Sequence, residues 1–217
     1  MNQHTFSFDV DSAWARAHNE LLRDTRRLRS SAIVMAVIAV LIGIVAFLLI
    51  EPGSIWRIAI PVVSATFAVT STAVGVAAKH SVGSAQDLYD KYPLVPAVIA
   101  EVNPRTVELL ALVNTTVDPD QPEKLALAVR PISRIEGHPR KKGVQVPAVA
   151  VSGRRSARSQ ETWDEITPMP IAWATPDEDI IDKARKAIPQ ETWKRLNRAI
   201  DRVDEVKRTK FNLLPLD

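Results

Sequence analysis

Four histidines, His4, His18, His80 and His138, are the side chains best suited to proton transfer or metal ligation. None has a second histidine three or four positions away, the spacing that sets two imidazoles on one helix face. The acidic clusters Asp118/Asp120 and Asp177/Glu178/Asp179 fall in a turn and at a helix start, where carboxylates are commonly solvated or capping. The chain has no cysteine, which excludes disulfides, thiolate metal sites and cysteine nucleophiles. Seven glycines leave little material for a phosphate-cradling loop, and no such motif occurs. Asn114-Thr115-Thr116 fits a glycosylation acceptor but lies in a segment expected to be cytoplasmic. No pair of histidines faces the interior of either apolar span, so no haem is expected there. The chemistry-bearing residues therefore predict a protein that is not an enzyme and holds no metal or cofactor.

Cationic residues are the remaining candidates. Arg140, Lys141 and Lys142 lie in the loop 138–143, and Arg154, Arg155 and Arg158 in the loop 153–158, on either side of an expected strand. Projecting from the same end of a barrel, the two loops form a patch for anionic lipid or an acidic protein surface. Otherwise they are solvated turns. Trp14, Arg23, Arg26, Arg27 and Arg29 add a second cluster near the N-terminus. A helix from about Asp11 places Trp14 on its apolar side, suited either to the inner membrane interface or to the protein's own soluble domain. Nucleic acid is not an expected partner, because net charge is only +3 and no aromatic stacking platform accompanies the basic loops.

Two apolar runs must carry these groups. Ser31–Ile50 has twenty residues with no charge and no proline, enough helix to span roughly 30 Å of hydrocarbon. Ile58–Ala78 is the second, interrupted by Ser64, Thr66, Thr70, Ser71 and Thr72, whose hydroxyls can bond back to the preceding helical turn. Pro61 predicts a bend. A cleaved signal peptide does not fit, since the first run begins some thirty residues in and is too long. The connector Glu51-Pro52-Gly53-Ser54 permits only an antiparallel turn. Arginines before the first run and Lys79 after the second predict a two-pass bacterial plasma-membrane protein with both termini cytoplasmic.

Small residues recur along each run. Ala32, Ala36, Ala39, Gly43 and Ala46 are spaced four, three, four, three, and Ser64, Ala68, Ser71, Gly75 and Ala78 repeat that pattern. Each set forms a helix-packing seam where backbones can approach closely. The seams either face each other within the hairpin or receive a helix of another protein. Ile33, Val37, Val40, Ile44 and Phe47 lie opposite the first seam and must meet lipid or a partner.

The rest of the chain reads as a soluble domain. The expected fold class is an α+β membrane protein: a transmembrane helical hairpin, a small five-stranded β-barrel-like domain of the OB or SH3-like kind, and two C-terminal helices. Its parts are an amphipathic segment over 1–30, the hairpin over 31–80, a linker over 81–96, the barrel over 97–174 and helices over 175–217. Strands are expected at 97–102, 106–115, 125–132, 144–151 and 166–174, with period-two patterning. Pro131 and Pro147 argue for edge positions. Thr175-Pro176-Asp177-Glu178 predicts an N-cap at Thr175 with proline at the first helical position. Trp193, Leu196, Ile200 and Val203 form an apolar stripe that should bury against the barrel.

The layout resembles an actinobacterial family of two-span membrane proteins. The resemblance is carried by the arginine-rich start, the hairpin, the segment Tyr92-Pro93-Leu94-Val95-Pro96-Ala97-Val98-Ile99-Ala100-Glu101-Val102 and the segment Ile171-Ala172-Trp173-Ala174-Thr175-Pro176. At 24.0 kDa the chain is also similar in size to the accessory subunit that accompanies the cytochrome bcc–oxidase respiratory supercomplex of corynebacteria. That resemblance implies a non-catalytic role in assembly or stabilisation, with membrane lipid and other membrane subunits as partners and no haem or copper of its own. The alternative expectation is a free-standing membrane-tethered module that binds anionic lipid, peptide or nucleic acid.

Overall fold

A computed structural model describes residues 6–82, 84–156 and 159–216, with the backbone alone over 78–82. The chain divides into a helical hairpin, residues 20–84, and a sheet unit made of residues 1–19 and 85–217.

In the hairpin, α2 (Glu20–Leu49) and α3 (Trp56–Val82) flank a short turn. Both exceed the apolar runs that predicted them, and α2 carries Arg23, Arg26, Arg27 and Arg29 on the same continuous helix as the first run. Gly53 takes φ 103°, a left-handed conformation that glycine supplies at the tip without a Cβ clash. The hydroxyls of Thr66, Thr70 and Thr72 donate to the carbonyls of Val62, Thr66 and Ala68 at 2.8–3.0 Å, as the sequence predicts for polar groups in an apolar helix. The helix runs on through Pro61.

The sheet unit begins with α1 (Ser12–His18), capped by the Asp11 carboxylate, which accepts from the Ala13 and Trp14 backbone N–H groups. Helix α4 (Ala85–Lys91) leads into β1 (Leu94–Val102), β2 (Val107–Asn114), β3 (Leu125–Ile132), β4 (Gln145–Ser152) and β5 (Ile166–Pro170). Then come α5 (Glu178–Ala187), α6 (Gln190–Arg198), α7 (Val203–Lys207) and β6 (Leu213–Pro215). The sheet is antiparallel, in the order β5-β4-β1-β2-β3-β6, so six strands replace the expected five. β6 is the addition, a three-residue strand that pairs with Ala126–Ala128 of β3. The last expected strand ends early, because Ile171–Trp173 turn into a 3₁₀ helix.

The expected period-two pattern gives way to burial on both faces. Leu94–Ala100 and Val107–Val113 are buried throughout. Helices α5, α6 and α7 contact β4, β1 with β2, and β3 respectively, while the sheet curls so that β5 approaches β2 and β3. Strands covered twice read as continuous apolar runs rather than alternation. Trp173 and Trp193 anchor this core, and their indole N–H groups donate to the carbonyls of Arg134 (3.0 Å) and Arg185 (3.3 Å). Leu196 and Val203 of the predicted stripe are buried with Trp193, and Ile200 is half-buried.

Pro147 lies in a strand with neighbours on both sides, contrary to the edge expectation. It faces Pro96 across the β1–β4 pair. The bonds from Ile99 N–H to the Val144 carbonyl and from Ala150 N–H to the Pro93 carbonyl place these prolines at a position whose N–H groups would point away from each other. On those far sides, pairing of β1 with β2 starts only at Ala97, and pairing of β4 with β5 only at Ala148. Neither proline removes a ladder bond. Pro131 does sit beside an open stretch, since β6 covers only the start of β3.

The cap of α5 is Asp177, not Thr175: its carboxylate accepts from Asp179 and Ile180 N–H, while Thr175 Oγ1 accepts from Asp177 N–H at 3.1 Å. The second C-terminal helix is broken into α6 and α7 by a 3₁₀ turn at Ile200–Arg202. Lys207, at the end of α7, reaches Glu101 and stands 4.0 Å from Glu108. Burial raises the Glu108 carboxyl above its ordinary range, against the pull of Lys207. The folded state therefore holds that proton more tightly than the unfolded chain, and stability from this group rises as pH falls through the raised value. Lys207→Met should cost about 1 kcal/mol at neutral pH, the partly exposed ammonium being screened. The deficit should narrow in mild acid as Glu108 takes up its proton. Denaturant unfolding of the two proteins at both pH values checks this, and a deficit that does not change with pH contradicts it.

Candidate functional sites in the hairpin and the basic loops

The seams face each other. Ala36, Ala39, Gly43, Ala68 and Gly75 are buried, and Ala32, Ala46, Ser64 and Ser71 are half-buried, whereas most of the intervening residues are exposed. The side chain of Ala78 lies outside the described residues. A Cβ added to Gly43 would stand 3.2 Å from Ser64 Cβ and 3.3 Å from Pro61 Cα, and one added to Gly75 would stand 3.3 Å from Ala32 Cβ. The backbones thus approach as closely as small residues allow, which is how apolar helices gain van der Waals contact where water is absent.

What remains outside is large and apolar. Ile33, Val37, Val40, Ile44 and Phe47 are all exposed, as are Leu48 at 71 % and Leu49 at 79 %. Among the described residues, every exposed large hydrophobic side chain except Val102 lies between Leu28 and Val76. Only 11 % of the apolar window of each helix is buried, the reverse of a soluble core helix. An apolar groove of about 900 Å³ runs between the helices, floored by Ala36 and Ala68 and walled by Ile33, Val40, Val69 and Val76.

The two basic loops do not share one end of the sheet. The loops 138–143 and 153–158 leave opposite ends of β4, an eight-residue strand of roughly 25 Å, so the single patch expected from one end of the barrel does not form. Arg140 donates to the Asn103 and Thr106 carbonyls at 2.7 and 3.2 Å, and Lys142 pairs with Asp201 at 2.7 Å. Lys141 is exposed. Arg154 and Arg155 stand over the rings of Phe211 and Trp163, at 5.5 and 5.6 Å. Arg158 lies outside the described residues. Arg26, Arg27 and Arg29 are exposed on α2, and Arg23 is half-buried there. Trp14, a candidate lipid contact, is instead held on its own domain: its indole donates to the Ala172 carbonyl at 3.0 Å and its ring stacks on His18 at 3.7 Å.

Two polar cavities in the sheet unit join residues too distant in sequence to suggest a site. One, of about 450 Å³, is lined by Trp14, Glu136, His138, Glu178, Asp182 and Arg185. Its His138 Nδ1 bonds the Glu136 carbonyl at 3.0 Å, and burial, with Arg185 nearby, lowers the imidazole below its ordinary range. His18 is 4.0 Å from Glu136. Among the described residues no group of three or more His, Cys, Asp or Glu side chains could hold a metal. The second, of about 550 Å³, lies around Trp163 and Phe211.

The facing seams make a test available. Disulfide bonding needs Cβ atoms roughly 3.5–4.5 Å apart, close to the spacing at Ala32 and Gly75. With no native cysteine, the double variant Ala32→Cys/Gly75→Cys should oxidise in membranes to an intramolecular disulfide. Ile44→Cys with Gly75→Cys should not. Predominant dimers from the first pair, seen on non-reducing gels, would mean that the seam serves another chain.

Comparisons agree with the two-part layout. The family model described as a protein of unknown function (DUF3239) matches residues 80–204. No curated protein matches the chain. A crystal structure described as that of "a putative membrane protein" from Corynebacterium diphtheriae is similar at 53 % identity, with a TM-score of 0.55, covering 57 % of this chain and 99 % of the other. With more than half of its length matched, this chain belongs to the DUF3239 family.

Proposed function

We propose that this protein is a non-catalytic accessory component of a larger membrane complex. The hairpin spans the membrane twice, and the sheet unit lies on the cytoplasmic side with both termini. The observation that carries this reading is the division of labour in the hairpin. Small residues are consumed where α2 meets α3, and the large apolar faces stay uncovered. In water those faces would cost about 25 cal/mol per Å². In a bilayer they cost nothing, and a partner helix can replace lipid on them at little expense. Orientation follows the arginines at 23, 26, 27 and 29, which belong on the cytoplasmic side. The relative from Corynebacterium diphtheriae, described in membrane terms, supports the membrane assignment. The resemblance in size and layout points to the actinobacterial cytochrome bcc–oxidase supercomplex as the assembly, where the protein would bridge or stabilise the respiratory enzymes.

Extraction in mild detergent followed by native separation tests this. The protein should migrate with a large complex that carries haem absorbance, and deleting it should lower the yield of that complex without changing its haem spectrum. A lone small species, with the respiratory complexes intact after deletion, would leave only the tethered-module reading.

A further inference from the structure

We propose that the cavity beside Phe211 binds a phosphate monoester carrying a flat or apolar group. The cavity encloses about 550 Å³ at one end of the curled sheet, where the β4–β5 loop, the β2–β3 loop and the turn before β6 meet. Its cations are Lys124, Arg154 and Lys210, and its flat walls are Trp163 and Phe211.

The cations are brought together in a way that ordinary surface charges are not. Arg154 and Lys210 both stand over the Phe211 ring, at 5.5 and 5.1 Å from its centre. The two charges are therefore no more than about 11 Å apart, where one anion can reach both. Arg155, over Trp163, adds a further positive charge next to the same walls. Opposing them are Asp164 and Glu161. Asp164 stays ionised, accepting from Ser156 N–H at 2.7 Å with bonds from Ser159 and Ser156 and the charge of Lys210 holding its carboxyl below the ordinary range, so it offsets one of the cations and leaves the others in excess. Glu161 pairs with Lys124 at 2.6 Å on the exposed rim, where an incoming anion can compete for it. A phosphate monoester, with nearly two negative charges, suits such a cluster better than a single carboxylate.

The frame around the charges is fixed by backbone bonds. Trp163 N–H donates to the Thr115 carbonyl at 2.8 Å, Val117 N–H to the Glu161 carbonyl at 2.9 Å, and Asp164 N–H to the Arg154 carbonyl at 3.1 Å. Phe211 itself has φ 60° and ψ 21°, and Asn212 follows at φ 51°. Asparagine tolerates the left-handed region, but a phenylalanine there is strained. The fold thus keeps an unfavourable backbone that places an aromatic ring under two cations. Strain held at a rigid, charged concavity is what a ligand site commonly shows and a plain turn does not require.

Calorimetric titration of the full chain in phosphatidylcholine nanodiscs, with phenyl phosphate as the probe, tests the site. Phenyl phosphate should bind saturably and about tenfold tighter than inorganic phosphate or benzoate, each of which lacks one half of the recognised chemistry. Arg154→Gln with Lys210→Gln, both exposed, should weaken it at least about tenfold and leave the unfolding midpoint unchanged. Phe211→Gly should weaken binding while holding or raising that midpoint, because glycine relieves the backbone. Nanodiscs containing phosphatidic acid separate the sources. Loss of phenyl phosphate binding there, but not in phosphatidylglycerol discs of equal charge, assigns the site to a lipid headgroup. Retention in both assigns it to a soluble phosphate. The proposal is overturned if phenyl phosphate does not saturate, if benzoate binds as tightly, or if the double variant binds like the parent chain.

Discussion

The structure depends on one inversion of the usual packing rule: in the hairpin, small residues lie inside and large ones outside. A soluble helix pair gains stability by burying Leu, Ile and Phe, whereas α2 and α3 bury Ala36, Ala39, Gly43, Ala68 and Gly75. This arrangement is stable only where the surroundings are as apolar as the side chains, because then nothing is gained by hiding Ile44 or Leu48. Association must come from close backbone contact, and the facing helix is so near at Gly43 and Gly75 that an added Cβ would meet it at 3.2–3.3 Å. The hydroxyls of Thr66, Thr70 and Thr72 close on carbonyls of their own helix, which satisfies them without water.

The sheet unit follows the opposite rule within the same chain. Trp173, Trp193, Leu109, Leu110, Leu112 and Ile171 are fully buried, and charged groups lie mostly outside. Two of its buried polar groups are bonded to each other and to the backbone: Tyr89 donates to the Pro170 carbonyl at 2.9 Å, and Asn19 donates to Tyr89. Burial drives the Tyr89 phenol well above its ordinary range, so it stays a hydrogen-bond donor at any physiological pH. One polypeptide therefore carries two interiors, each suited to a different solvent. The family model starts at residue 80, near the point where one gives way to the other.

The hairpin was legible because its code is local. Twenty uncharged residues and a four-three spacing of small ones define a helix, a length and a face without reference to the rest of the chain. The long strands are placed by the turn residues between them, although the period-two pattern expected of them is absent where both faces are buried. What escaped is what distant residues decide. β6 is three residues long and exists only because Leu213–Pro215 meet β3. Pro147 suggests an edge by its missing N–H, but its position relative to where β5 pairing begins, invisible in sequence, makes it harmless in the middle of the sheet. Trp14 suits a membrane interface and the protein's own domain equally in sequence, and only the bond to the Ala172 carbonyl, over a hundred and fifty residues away, decides for the domain. The cavity at Phe211 joins residues from Thr115 to Pro215, and its best signal, two consecutive left-handed residues without glycine, is a backbone fact with no sequence signature.

Labelling in intact cells decides whether the hairpin crosses a bilayer with its turn outside. In a chain without native cysteine, single cysteines at Ser54, Ile44 and Arg140 can be offered a membrane-impermeant maleimide. The account predicts that Ser54→Cys reacts in intact cells, Arg140→Cys reacts only after the cells are opened, and Ile44→Cys reacts in neither case until detergent is added. Reaction of Ile44→Cys in opened cells without detergent, or protection of Ser54→Cys in intact ones, would contradict it.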